Sequence, residues 1–339
     1  MPELSHILEA LNGRLDNAGN ITFGDAKIAG SDNYFSLINH RTIVNIKGVD
    51  SKKFLQGQLT CDALAIDDEQ LCSGAYCTPK GRVISNFLLS QWHQDHLTMS
   101  CHSGAADALA KQLAKYIVFS KADITVDNDT LCLGIRSADI AATCGTLFPR
   151  LPEQTMQQVI NNNRKLIRLS DDLFELWLPT ADVKAVFAVL SETCTLTSSV
   201  AWERDIIALG VAVIDQNTVE TFIPQHLNMQ LNGGINFKKG CYTGQEVVAR
   251  MQYRGKLKRH MYRVSATTLP PSGSALFTSG SEQSIGNMLQ SCQLDDHMEG
   301  LAVLTIDSVD RDEIFSSLDR QQQHRLTTLE LPYALPSDE

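Results

Sequence analysis

Two short apolar runs flank a proline–glycine turn early in the chain: Ala75-Tyr76-Cys77, then Thr78-Pro79-Lys80-Gly81, then Val83-Ile84-Ser85-Asn86-Phe87-Leu88-Leu89. Proline presets φ at the first corner of a tight turn and glycine relieves the last. The two runs therefore read as an antiparallel hairpin. Similar punctuation recurs along the chain. Thr42-Ile43-Val44-Asn45-Ile46 reads as a strand ending at Gly48, after which Asp50 offers an N-cap to a helix carrying Phe54, Leu55 and Leu59. Residues 105–117 place Leu109, Leu113 and Ile117 on one helical face. Segments 131–135, 165–169 and 174–178 read as strands, 138–147 and 181–191 as helices, and the Gln- and Asn-rich 152–163 as a loop or excursion. Hairpins alternating with single helices predict an α+β fold with mostly antiparallel sheets. Beyond about residue 258 helical patterns fade. Short strands at 261–265, 274–277, 284–292, 301–306 and 326–331, separated by Pro, Gly, Ser and Asp, predict a small β-barrel.

A chain of 339 residues is long enough for two or three domains. Its 43% apolar and 20% charged residues are ordinary for a protein with a real core. No apolar run is long enough to span a bilayer, and Met1-Pro2-Glu3-Leu4-Ser5-His6 lacks the basic and apolar regions of a secretory leader. The expected location is the cytoplasm, away from any membrane. Nine cysteines are scattered with no C-x-x-C pair, so no metal site is expected, and most read as small buried apolar residues in a reducing compartment. His93 and His96 read as a polar turn. No P-loop, G-x-S-x-G or H-E-x-x-H is present. The net charge of −10 argues against general nucleic-acid affinity, yet residues 238–263 hold eight Lys or Arg against one acid, Glu246.

Cys241 stands apart from the other thiols. It lies in Lys239-Gly240-Cys241-Tyr242-Thr243-Gly244-Gln245-Glu246, where Thr243 and Glu246 have the spacing of a capping box. A helix N-terminus just after the thiol, with Lys238 and Lys239 just before it, favours the thiolate. The glycines at 240 and 244 let the backbone bend on either side. On this chemistry alone, a cysteine that merely fills a turn is an equal reading.

The run Phe237-Lys238-Lys239-Gly240-Cys241-Tyr242-Thr243-Gly244-Gln245-Glu246-Val247-Val248-Ala249-Arg250 resembles the signature of the YgfZ family, whose core pattern is K-G-C-[FY]-x-G-Q-E. The resemblance extends through Lys47-Gly48-Val49-Asp50, Phe54 to Thr60, Lys80-Gly81-Arg82, Tyr116 to Lys121 and Phe222-Ile223-Pro224-Gln225. That family is similar in fold to the folate-binding aminomethyltransferase of the glycine cleavage system. The resemblance implies ferredoxin-like α/β subdomains around a central folate cavity, with a C-terminal β-barrel. The corresponding division is 1–257 as a folate-binding region (1–125 with 200–257, and 126–199) and 258–339 as the barrel.

The resemblance also implies tetrahydrofolate as cofactor and Cys241 as the functional thiol with Lys239 beside it. The implied role is support of iron–sulfur enzymes, among them the radical enzymes that modify tRNA, by an accessory factor more than by an enzyme. Trp202, followed by Arg204-Asp205, matches the family's folate-contacting tryptophan, and Arg41 stands where the family can carry a second one. A flat pterin stacks on an aromatic ring, a carboxylated tail takes a cation, and a guanidinium can also stack. Two further readings stay open. One is a tetrahydrofolate-dependent one-carbon transferase, for which Asp107 is the nearest carboxylate, though it reads as a helix-surface residue. The other is a weak RNA-binding face over 238–263.

Overall fold

The computed structural model describes residues 7–9, 11–16, 19–23, 32–278, 282–310, 314–316 and 325–336. The leader reading of residues 1–6 falls outside these. Two sheets and a barrel account for most of the chain. A small hairpin, β1 (Gly13–Leu15) with β2 (Ile21–Phe23), precedes them.

One sheet contains β4 (Arg41–Lys47), β5 (Cys72–Cys77), β6 (Val83–His93), β7 (His96–His102) and β8 (Asp123–Asp127) in the order β5-β6-β7-β4-β8. Every pair is antiparallel, including the hairpin read around Thr78–Gly81. Helix α1 (Ser51–Gln56) follows β4, and α2 (Ser103–Ile117) follows β7. The α2 stripe Ala105, Ala106, Leu109, Leu113 and Ile117 is buried, and most of it closes a core with Val44, Ile46, Leu89 and Met99. Burying one such leucine or isoleucine contributes about 1.5–3 kcal/mol. Asp50 precedes α1 but makes no capping bond; its Oδ2 accepts from the Lys121 backbone N–H at 2.8 Å and ties the helix entry to the end of α2.

The other sheet runs β10 (Gln158–Asn161), β11 (Arg164–Arg168), β12 (Leu173–Pro179), β9 (Thr130–Arg136), β3 (Tyr34–Leu37) and β13 (Thr195–Leu196). Only β13, beside β3, is parallel. The excursion expected at 152–163 is in part a strand: in β10 Val159 pairs with Leu166 and Ile160 with Lys165, and Asn162, at φ 55°, turns the chain into β11. β3 crosses the expected subdomain division, because residues 34–37 pair with β9 instead of the first sheet. Helices α3 (Ile140–Cys144) and α4 (Val183–Leu190) pack on this sheet, with Val183, Val186, Phe187 and Leu190 buried in its core.

The sheets are joined by polar groups that burial forces into partnership. Lys165 is fully buried; its Nζ donates to Ser90 Oγ at 2.7 Å and lies 4.4 Å from the Trp92 ring and 4.9 Å from the Trp177 ring. Desolvation holds this amine well below the usual lysine range. Trp177 Nε1 donates to Glu175 Oε2 at 3.0 Å, and Arg41 Nη2 donates to Glu175 Oε1 at 2.8 Å.

Helices α5 (Ser199–Ala208) and α6 (Gln245–Tyr253) lead to the C-terminal strands. These are β14 (Arg259–Ala266), β15 (Ala275–Phe277), β16 (Ser284–Gln293), β17 (Met298–Thr305), β18 (Ile314–Ser316) and β19 (Arg325–Leu329), with the single-turn α7 (Ile306–Val309) after β17. They pair in the order β14-β17-β16-β15-β18-β19, and β19 pairs back onto β14 to close the expected barrel. β18 is the strand the sequence pattern missed. No helix among the described residues is long and apolar enough to cross a membrane.

Candidate functional site: an exposed thiol loop and a separate cavity

All nine cysteines lie in the described residues, and Cys241 alone is exposed. The loop that displays it is built from sequence-distant pieces. Asn236 Oδ1 accepts from the backbone N–H groups of Lys238 (2.9 Å) and Lys239 (3.1 Å), an Asx turn that starts the loop. Lys239 then points inward. Its Nζ donates to the carbonyls of Gln56 (2.8 Å), Leu59 (2.7 Å) and Cys61 (2.7 Å) and sits 5.2 Å from the Tyr242 ring. The expectation that Lys239 serves the thiol directly is therefore corrected: its three protons fasten the loop to the last residue of α1 and the chain just after it. Burial lowers its pKa from the ordinary lysine value.

The capping box is also corrected. Helix α6 begins at Gln245 with Gly244 as N-cap, and no side chain caps it. Thr243 Oγ1 instead donates to Gln58 Oε1 at 3.3 Å, and Glu246 is exposed in the first turn. Gly244 adopts φ 85°, and a Cβ there would stand 2.5 Å from the Thr78 carbonyl oxygen. Gly81, at φ 70°, brings the opposite side of the same turn against Val247. The Thr78–Gly81 hairpin and the cysteine segment thus fit together as one unit. Cys241 itself is exposed on this unit, three residues ahead of the Gly244 N-cap.

The basic stretch 238–263 divides. Arg250 on α6, Arg254 just after it, and Lys238, Lys256 and Lys258 are exposed, whereas Lys239 is committed inward and Arg263 pairs with Glu299 across β14 and β17.

A second feature lies elsewhere. A cavity of about 770 Å³ is lined by residues that include Trp202, Glu203, His40, Arg41, His102 and Cys292, with Cys241 not among them. Its size suits a small organic ligand. Trp202, 2% exposed, lies on α5 and rests flat on Gly134 of β9, where any Cβ would overlap Cδ2 and Cε3 of the indole. It is thus both a packed core residue and part of the cavity wall. Arg41 also lines the cavity, held by Glu175. Arg204 does not line it: its Nε donates to Asp205 Oδ1 at 2.8 Å, in a cluster that Arg136 and Tyr34 complete. Asp107 is exposed on α2 and lines a smaller pocket that Arg41 shares.

Sequence reading missed Glu203, His40 and His102. His40 and His102 stack, with ring centroids 5.5 Å apart and planes 11° apart, and His40 Nε2 lies 3.4 Å from Glu203 Oε1. Burial and then Asp16 raise the Glu203 carboxyl to about 7, while burial lowers His102 to about 4. No spacing pattern marks them; only the contiguity of Glu203 with Trp202 was visible. His93 and His96 do flank the β6–β7 turn as read, with His96 Nε2 2.8 Å from Asn45 Oδ1. No cluster of three or more possible metal ligands occurs among the described residues.

No family model matches the chain. Among curated proteins it is 33% identical over 299 residues to the tRNA-modifying protein YgfZ of Enterobacter sp. (strain 638), covering 86% of this chain and 91% of the relative. It is 32% identical to the YgfZ of Sodalis glossinidius, with 86% and 90% covered, and 33% identical to that of Escherichia coli O157:H7, with 86% and 91% covered. Among solved structures, the glycine cleavage system aminomethyltransferase T of Bartonella henselae shares the fold, with a TM-score of 0.79 at 15% identity over 97% of this chain and 96% of that one. Identity and coverage at this level place the chain in the family of the tRNA-modifying protein YgfZ.

Proposed function

We propose that the protein is a tetrahydrofolate-binding factor that sustains iron–sulfur enzymes of tRNA modification, with Cys241 as its functional thiol. The observation that carries this reading is the pairing of a ligand-sized cavity walled by Trp202 with one exposed cysteine on a rigidly anchored loop. Membership in the tRNA-modifying family supports the biological role, and the shared aminomethyltransferase fold supports folate as the ligand class. Trp202 offers an aromatic face, and Arg41 a guanidinium pre-set by Glu175. Arg204 is engaged by Asp205 through Nε and is not among the cavity's lining residues, which favours Arg41 as the cation for the glutamate tail.

The cavity and the thiol are separate places, and they divide the labour between them. The cavity holds the folate. The thiol faces outward, toward a partner enzyme, in the cytoplasm. The one-carbon transferase reading loses its sequence candidate, since Asp107 opens on the smaller pocket; the carboxyl beside Trp202 in the cavity is Glu203. Nucleic-acid contact through Arg250 and Arg254 is weaker still, because the chain's net charge is −10 and Lys239 and Arg263 of the basic stretch are engaged within the fold.

Calorimetric titration with tetrahydrofolate tests the ligand. Wild-type protein binds, and Trp202→Ala loses affinity; equal binding by both removes Trp202 from the site, and no binding by either refutes the folate assignment. Thiomethylated tRNA in a deletion strain tests the role: it falls if the reading holds, and unchanged levels contradict it.

A further inference from the structure

We propose that Glu203, paired with His40, is the proton-exchanging group of the cavity, and that a planar N–H-bearing or cationic heterocycle seated there binds with release of the Glu203 carboxyl proton to solvent. The inference rests on the folate reading only for the choice of probe.

The geometry sets up the exchange. Glu203 follows Trp202 on α5, and both line the cavity. Its partner in the cavity is weak, since His40 Nε2 stands at 3.4 Å. His40 is itself stacked on His102, whose Nδ1 accepts from the Gly104 backbone N–H at 3.1 Å. Each charged or titratable neighbour on the surrounding elements is accounted for. Asp16, beyond β1, and Asp215, beyond α5, add negative potential. Arg41, at the start of β4, is held by Glu175, and Arg204, next on α5, by Asp205. Cys292, on β16, is a thiol whose pKa burial raises to about 12. The lining residues include no lysine and no arginine but Arg41.

A carboxyl in such a place keeps its proton near neutrality, and Glu203 is raised to about 7 while burial lowers His40. A ligand that offers N–H donors or a cation supplies the missing counter-charge. The carboxyl O–H bond then breaks, the proton passes to solvent, and the carboxylate accepts from the ligand. Nothing is oxidised or reduced. The shared titration belongs to the Glu203–His40 pair.

The test is calorimetry of tetrahydrofolate binding in two buffers of different ionisation enthalpy, on wild type, Glu203→Gln and Glu203→Asp. Thermal melts confirm that each variant is folded. Wild type releases about half a proton near pH 7, more near pH 6, and almost none near pH 9, where the carboxyl is already ionised. Glu203→Gln binds about tenfold more weakly with no proton release, and Glu203→Asp keeps the release. Wild-type binding with no proton exchange, or release unchanged in Glu203→Gln, overturns the proposal and leaves folate binding intact. Absence of any tetrahydrofolate binding by wild type refutes the folate reading instead. In that event 2-aminopyrimidin-4-one serves as probe: proton-linked binding that Glu203→Gln abolishes upholds the proposal, and its absence overturns it.

Discussion

The indole of Trp202 lies so close to Gly134 that position 134 cannot carry a side chain without moving it. Gly134 therefore sets the depth at which Trp202 enters the cavity wall. Gly134→Ala is expected to destabilise the protein by about 1–3 kcal/mol through overpacking and to weaken tetrahydrofolate binding together with it. Chemical denaturation and calorimetry on the same preparation check both effects. A variant of full stability that retains full affinity contradicts this placement.

The glycines around Cys241 are expected to behave differently. At Gly244 a side chain meets both a left-handed backbone and the Thr78 carbonyl, whereas a Cβ at Gly240 meets nothing within 4 Å. Gly244→Ala should lower stability by at least about 1 kcal/mol, and Gly240→Ala should change it by less than about 0.5 kcal/mol. Melting temperatures of the two variants measure the contrast; similar values would show that the turn is not shaped by Gly244.

Lys239 acts as an anchor. Lys239→Met removes three hydrogen bonds at once and leaves the carbonyls of Gln56, Leu59 and Cys61 without that donor. The expected loss is about 1–3 kcal/mol. Lys239→Arg should restore little, since a planar guanidinium does not fit a site shaped for three converging bonds. Proteolysis of the native protein at residues 238–244 should accelerate in Lys239→Met, and an unchanged rate would argue against anchoring.

The response to acid follows from the buried histidines. His96, His102 and His226 are each lowered to about 4, so between about pH 6.5 and pH 4 the unfolded chain binds protons that the folded one does not. Their effect is that stability falls as pH drops through this window. Glu203 is raised to about 7 and acts in the opposite sense: its contribution is full below about pH 4.5 and is lost as pH rises through 7. His40 is lowered by burial and acts with the three histidines, while His297 is raised and acts with Glu203; with four groups against two, melting temperature should decline from pH 6.5 to pH 4. His102→Gln should flatten that slope and Glu203→Gln should steepen it. A rising melting temperature on acidification contradicts the assignment.

Local signals were legible in the sequence. The Pro–Gly turn at 78–81, the apolar stripe of α2 and the barrel's short strands each depend on neighbours within a few residues, and each formed where it was read. The cysteine motif was legible as a special place, but its internal wiring was not. Lys239 finds partners about 180 residues earlier in the chain, and Thr243 turns to Gln58 because Gly244 takes the N-cap position at φ 85°. Likewise β10 was hidden in a run of Gln and Asn, residues that usually mark loops. It pairs because β11 offers it an edge and Gln158 can donate to the Gln91 carbonyl at 2.8 Å. Trp202 stood out as an aromatic, yet its cavity companions His40 and His102 reach it from other elements, and only tertiary structure brings them together.

The central claim is that Cys241 is a working thiol and not a structural one. It is the exposed cysteine of nine, it takes part in no cap, and the loop is held by Asn236 and Lys239 instead. Cys241→Ser should therefore fold with an unchanged melting temperature. The decisive measurement is thiomethylated tRNA in a deletion strain carrying either wild-type or Cys241→Ser protein at matched abundance. Wild type is expected to restore the modification and the serine variant to leave it at the deletion level; full restoration by the folded serine variant would contradict the account.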